Sequence, residues 1–188
     1  VACHLTWCPA CRAASATSEE LVGALGLREE GEVPPSALAQ ALARLDAVEV
    51  DASPHPALPA SDVPLPAPFL RRWGPFQSLP FRPAGWGTRV ARLSGSGSGR
   101  RTFVVDFPPG FRVPDHGHHG FERGLVLRGG YRHGEEAFGV GDVEWLDTPH
   151  HGVRIDDGER CTALFVSDGP LGFGRGWLDR AVDGWLFR

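Results

Sequence analysis

Apolar and polar positions follow different periods in the two halves of the chain. From residue 88 onward they alternate in short runs: Thr88–Leu93, Thr102–Phe107, Phe121–Leu127, Val143–Leu146 and Thr162–Ser167. Alternate side chains of an extended chain share a face, so each run predicts a strand with a core side. Ser94–Gly99 reads as a flexible hairpin loop, Gly129–Gly130 as a turn ahead of a strand from Tyr131, and Phe138–Asp142 as a turn into Val143. Gly152 to Ile155, a turn at Asp156-Asp157-Gly158 and the run from Thr162 predict a final hairpin. Many short strands with glycine turns make the fold class mainly β, a jelly-roll barrel or sandwich.

Before residue 49 the period is helical. Thr17–Leu27 predicts one helix, with Ser18 as N-cap and Glu19 and Glu20 suited to the first turn. Ser36–Val48 predicts a second, with Leu38, Leu42 and Leu45 on one stripe. Alone, two such short helices are marginal and need a metal, a further helix or a partner. Residues 49–68 are proline-rich and read as a semi-extended linker, with His55 a solvated residue within it. The aromatic tail, Pro170 to Phe187, is expected to pack back over the barrel, with a short helix around Trp177 to Val182. The expected organisation is therefore 1–48 helical, 49–68 linker and 69–188 β-barrel.

Composition narrows the functional classes. A net charge of -4 gives no basic footprint for nucleic acid. No run is long and apolar enough for a membrane-spanning helix, and no secretory signal is visible, so a cytoplasmic location is expected. Every basic residue is Arg, a compositional bias without functional content. Of the 4 cysteines, Cys3, Cys8 and Cys11 crowd one end and Cys161 stands alone, which is a metal or redox cluster rather than a disulfide framework. A start at Val1 so close to that cluster suggests that something precedes it. Cys161, in a strand, is expected to be a small core residue; His119 and His133 are expected at the surface.

Two stretches carry metal chemistry. In the first, His116, His118 and Glu122 follow Gly110 and precede Gly129. His116 and His118 alternate onto one face of an extended chain, and Gly117 and Gly120 let the backbone bring Glu122 round to them. Two imidazoles and a carboxylate suit a borderline divalent cation. In the second, His4, Cys8 and Cys11 are spaced as His-x3-Cys-x2-Cys. Pro9 belongs at the first helical position, which puts Cys8 at a helix N-terminus, where the dipole favours the thiolate. Trp7-Cys8-Pro9-Ala10-Cys11 also resembles a thioredoxin-type redox motif, but too little chain precedes it for that fold, and zinc is preferred.

The stretch from Gly110 to Gly129 resembles the first motif of the cupin superfamily. The second is similar to Gly141-Asp142, Trp145 to Pro149 and His150-His151-Gly152-Val153, with Thr148-Pro149-His150 in place of the usual proline–glycine turn. His151 is taken as the fourth ligand over His150, because Val153 two residues on continues an inward-facing alternation. Nearly the whole chain, from Val1-Ala2-Cys3-His4 through Cys8 and Cys11, Leu38 to Asp46, Pro114 to His118, Phe138 to Glu144 and Ser167 to Leu171, resembles the ChrR family of zinc-binding anti-sigma factors. That resemblance implies a helical N-terminal part that binds an extracytoplasmic-function sigma factor. It also implies a cupin needed for responding to an oxidative signal such as singlet oxygen. The implied N-terminal zinc ligands are His4, Cys8 and Cys11, and the implied cupin ligands are His116, His118, Glu122 and His151. The family's further zinc-ligand histidine lies on a helix upstream, which has no counterpart before Val1; Cys3 adjoins His4 and would need an awkward turn to replace it.

The first functional expectation is thus a metal-sensing regulator. It would bind zinc, with iron, manganese or nickel as further choices for the cupin, and have a sigma-factor partner; a homodimer is compatible. The competing classes are a metal-dependent cupin dioxygenase or isomerase, and a storage or small-ligand-binding cupin.

Overall fold

The computed structural model describes residues 1–26, 34–47, 57–93, 100–118, 120–146, 152–168 and 171–172. The chain divides into two units, Pro9–Leu58 and Val1–Cys8 with Pro59–Arg188.

In the first unit, helix α2 runs Pro9–Gly26 and α3 runs Ala37–Asp46. Pro9 occupies the first helical position, where a missing N–H is no loss. The helix therefore starts well before Thr17, the start expected from the apolar pattern. Neither helix has a buried residue: the Leu38, Leu42 and Leu45 stripe of α3 is exposed, as are Leu21, Val22 and Leu25 of α2.

The second unit holds α1 (Ala2–Trp7), α4 (Ala67–Trp73) and eleven described strands. β1 (Phe81–Pro83), β2 (Arg89–Leu93) and β3 (Arg101–Phe107) form a meander. They join β10 (Cys161–Ser167), β5 (Glu122–Arg128) and β8 (Val143–Leu146) in a six-stranded sheet of order β1-β2-β3-β10-β5-β8. A three-stranded sheet consists of β7 (Glu136–Phe138), β6 (Tyr131–His133) and β9 (Arg154–Ile155). β4 (Gly117–His118) pairs with β11 (Leu171–Gly172). All pairings are antiparallel.

Strand parity sorts the core into two clusters. Phe103, Val105 and Phe107 of β3, Val126 of β5, and Cys161, Ala163 and Phe165 of β10 face inward, where they meet Tyr131 of β6 and Ile155 of β9. This is the interior of a β-sandwich, and Cys161 is fully within it as expected. The opposite parity, Ala91, Leu93, Val104, Leu125, Leu127 and Leu164, is buried as well. It is covered by Val63, Leu65, Phe69 of α4, Phe76 and Leu79, with Cys3 and Trp7 of α1 packed at its margin. The end of the expected 49–68 linker therefore belongs to the β-unit: Val63 and Leu65 are anchors, and α4 begins at Ala67. Residues 48–56, with His55, lie outside the described residues, as do the 94–99 loop and the expected tail helix at 177–182.

The central polar feature is Asp106, completely buried on β3. Its carboxylate accepts hydrogen bonds from Arg89 at 2.5 Å, Arg128 at 2.8 Å, Arg160 at 2.8 Å and Thr162 at 2.9 Å. Burial alone would raise its pKa; the bonds from Arg89, Thr162 and Arg160 and the charge of Arg160 outweigh that and hold it below the usual carboxylate range.

One expected pairing is corrected. β9 and β10 are not a hairpin: β9 pairs with β6, whereas β10 lies between β3 and β5. The Asp156-Asp157-Gly158 turn carries the chain from one sheet to the other.

Candidate metal centres

The cupin-like stretch is built by β4, the turn after it and the start of β5. Gly120 has φ of +121°, and the Asp168 carboxylate fills the space a side chain there would need. Asp168 accepts from the Phe121 N–H at 2.8 Å and its own N–H donates to the Phe121 carbonyl at 3.3 Å, which ties this turn to the end of β10. The backbone turns at Gly120, and Glu122 follows as the first residue of β5. From there Glu122, Gly124 and Val126 alternate onto the inward face, and Leu146 and Glu144 of β8 stand opposite Glu122 and Gly124.

Glu122 is buried, and its pKa is pushed up to about 8, first by burial and then by repulsion from Glu144. A cation beside the carboxylate would offset both effects. His116 is buried with Nδ1 2.9 Å from the Pro114 carbonyl oxygen. That oxygen can only accept, so Nδ1 is the donor in this contact, the arrangement that a metal-binding histidine would use. His118 is placed by its backbone in β4, which pairs with β11. His150 and His151 lie outside the described residues, so the fourth-ligand choice remains an expectation.

A buried polar network lies on the same inward face and was not foreseen. The Tyr131 hydroxyl donates to Glu144 Oε2 at 2.5 Å, and His133 Nδ1 bonds Glu144 Oε1. Burial, then the bond to Glu144, raises the pKa of Tyr131. His133 is thus a partner of a buried carboxylate rather than a surface residue. The available signal was parity: Tyr131 and His133 lie two apart on one strand, and Glu144 shares its face with Leu146.

The cysteine-rich segment is local to residues 4–11. His4 lies on α1, Cys8 caps that helix in an extended conformation (φ −94°, ψ 104°), and Cys11 lies in the first turn of α2. The ligand atoms of His4, Cys8 and Cys11 lie within 4.8 Å of one another. A tetrahedral zinc ion needs sulfur atoms about 3.8 Å apart, so small side-chain rotations close the site. No disulfide joins any of the four cysteines. Cys3 is not among the gathered donors: it packs against the outer apolar cluster, where burial raises its thiol pKa against the lowering effect of the nearby N-terminal charge. His4 Nδ1 is 2.7 Å from the Gly141 carbonyl oxygen, a contact in which the ring must be the donor. The donor set of two thiols and one imidazole fits zinc, with one position left for a further ligand.

Residues 73–171, more than half of the chain, match the family described as the ChrR Cupin-like domain. The chain belongs to the ChrR family. Over 177 residues it is 34% identical to the anti-sigma-E factor ChrR of Cereibacter sphaeroides, covering 92% of this chain and 81% of that one. The crystal structure of Rhodobacter sphaeroides SigE in complex with the anti-sigma ChrR superposes with a TM-score of 0.69 at 30% identity, covering 89% of this chain and 86% of that one. The expected cupin fold with a small helical N-terminal part agrees with both. No helix among the described residues is long and apolar enough to cross a membrane.

Proposed function

We propose that this ChrR-family chain is a metal-binding anti-sigma factor that sequesters an extracytoplasmic-function sigma factor in the cytoplasm and releases it on an oxidative signal. The observation that carries this reading is that the similarity to a ChrR solved with its sigma factor extends over about nine-tenths of the chain. Residues 1–48 would hold the sigma factor, and residues 69–188 would be the sensor. In the first part His4, Cys8 and Cys11 would bind zinc; in the second His116, His118, Glu122 and His151 would bind zinc or another divalent ion.

Zinc, when bound, supplies a cross-link that holds α1 to the first turn of α2. The residues determine when that link can exist. Cys8 is half-buried at a helix N-terminus and Cys11 is exposed, so a two-electron oxidant such as a peroxide would reach Cys11 first. Joined as a disulfide, the two sulfurs no longer act as two thiolate ligands. The exposed leucines of α3 suit a sigma-factor helix on the stripe Leu38, Leu42 and Leu45.

The test is titration of the chain with an extracytoplasmic-function sigma factor, with metal content measured before and after mild oxidation. A stoichiometric complex that dissociates as zinc leaves is expected. Absence of any complex, together with stoichiometric iron and oxygen consumption, would replace this reading with a cupin dioxygenase.

A further inference from the structure

α1 belongs to the β-unit although it is separated from it in sequence by α2 and α3. The helix is six residues long, and one face of it is fitted to the turn between β7 and β8. Trp7 and Cys3 pack at the outer apolar cluster. Gly141 has φ of +93°, and a Cβ there would lie 3.2 Å from Trp7 Cβ, so a glycine is what lets helix and turn approach this closely. At that point the His4 ring donates to the Gly141 carbonyl across 137 residues of sequence.

We propose that the Gly139–Asp142 turn of the cupin is a positioning element for the thiolate site. Its Gly141 carbonyl fixes His4 with the proton on Nδ1 and Nε2 toward the metal. The inference rests on the metal-binding reading of His4, Cys8 and Cys11.

The turn is built to hold that oxygen still. Asp142 Oδ2 accepts from the Gly139 N–H at 2.8 Å, and the Asp142 N–H donates to the Gly139 carbonyl at 2.9 Å. The Gly141 N–H donates to Val126 at 3.0 Å, and the Val126 N–H donates to Asp142 at 3.1 Å. The acceptor is therefore fastened to the middle of β5, the strand that begins with Glu122. A carbonyl has no donor, so it admits only one imidazole tautomer. A hydrogen bond on the far nitrogen also makes the ligating one more basic. His4 would then bind metal as strongly as the cupin turn lets it, which gives the sensor unit a direct hold on the metal site without any large motion.

The experiment uses the full chain loaded with cobalt(II), then with zinc, against a competing chelator. Gly141→Ala places a methyl against Trp7 in an unfavourable φ, and Trp7→Ala undocks α1 while leaving the turn untouched. Both are expected to weaken metal binding at the thiolate site 10- to 100-fold, the usual loss when a ligand's outer partner is removed. Thermal melting of the β-unit in Trp7→Ala guards against unfolding as the cause. In the zinc-loaded wild type, long-range proton–nitrogen spectra should show metal on His4 Nε2 and a slowly exchanging Nδ1 proton, which becomes fast in both variants. Wild-type affinity in the two variants, or metal on Nδ1, overturns the proposal. If wild-type chain shows no thiolate-to-cobalt absorption, or Cys8→Ser leaves that absorption unchanged, the metal-binding reading itself fails, and the positioning role falls with it.

Discussion

The six-stranded sheet and the helices of Pro9–Leu58 solve the burial problem in opposite ways. In the sheet both faces are covered, so Val104, Leu127 and Phe69 are almost wholly withdrawn from water. In the helices Leu38, Leu42 and Leu45 stay 70%, 51% and 67% exposed, and nothing on α2 or α3 is buried. Burying a leucine stabilises by about 1.5–3 kcal/mol. The sheet collects that term many times over, whereas α2 and α3 collect almost none of it among the described residues.

The largest effect expected from this contrast is on metal removal. Replacing Cys8 and Cys11 with serine, or chelating the metal, should remove most of the helical signal of residues 9–46 in circular dichroism while the melting of the β-unit stays in place. A parallel loss in both units would break the comparison. Next comes Asp106→Ala, which leaves three guanidinium groups facing an apolar sheet without their shared carboxylate. It should cost about 3–5 kcal/mol, read as a lower denaturant midpoint. Phe69→Ala should cost a similar ~3–5 kcal/mol, because the ring fills the space between α4 and the sheet.

A smaller effect concerns pH. The folded pKa of Asp106 is depressed, so its contribution to stability is complete above the unfolded value of about 4 and is lost as pH falls through the folded value. Acid melts should show that decline in wild type and not in Asp106→Asn. Smallest of all, Leu42→Ala should change the stability of the isolated chain by no more than about 0.5 kcal/mol, since the side chain already sits in water. The same substitution should weaken sigma-factor binding measurably in a titration, and a large loss of stability instead would show that the stripe is internal core.

Much of the β-unit was legible because its strands announce themselves by parity. Thr88–Leu93 and Thr102–Phe107 are neighbours in sequence and in the sheet, so alternation and a glycine–serine loop were enough. The 152–167 pair failed because turn chemistry specifies a reversal, not the sheet that receives the next strand; β9 finds its partner at Tyr131 and Arg132. Val63 and Leu65 were hidden among prolines, whose stiffness suits a linker and an anchored strap equally. α1 has no side-chain cap and little length, and its order comes from docking Trp7, a tertiary term no local pattern carries. Of the candidate donors, His4, Cys8 and Cys11 were readable from spacing as neighbours. The carbonyls of Pro114 and Gly141 that orient the two rings were not, because a backbone acceptor has no residue type.

The buried carboxylate of Asp106 has a bearing on how the sheet comes into being. Its four partners come from positions 89, 128, 160 and 162, drawn from three strands and the turn before the last of them. The β2–β3 hairpin supplies only Arg89, so a partly assembled sheet leaves the carboxylate short of its other partners until β10 slides between β3 and β5. That arrangement favours all-or-none assembly, and it makes any fragment ending before residue 160 a poor candidate for independent folding.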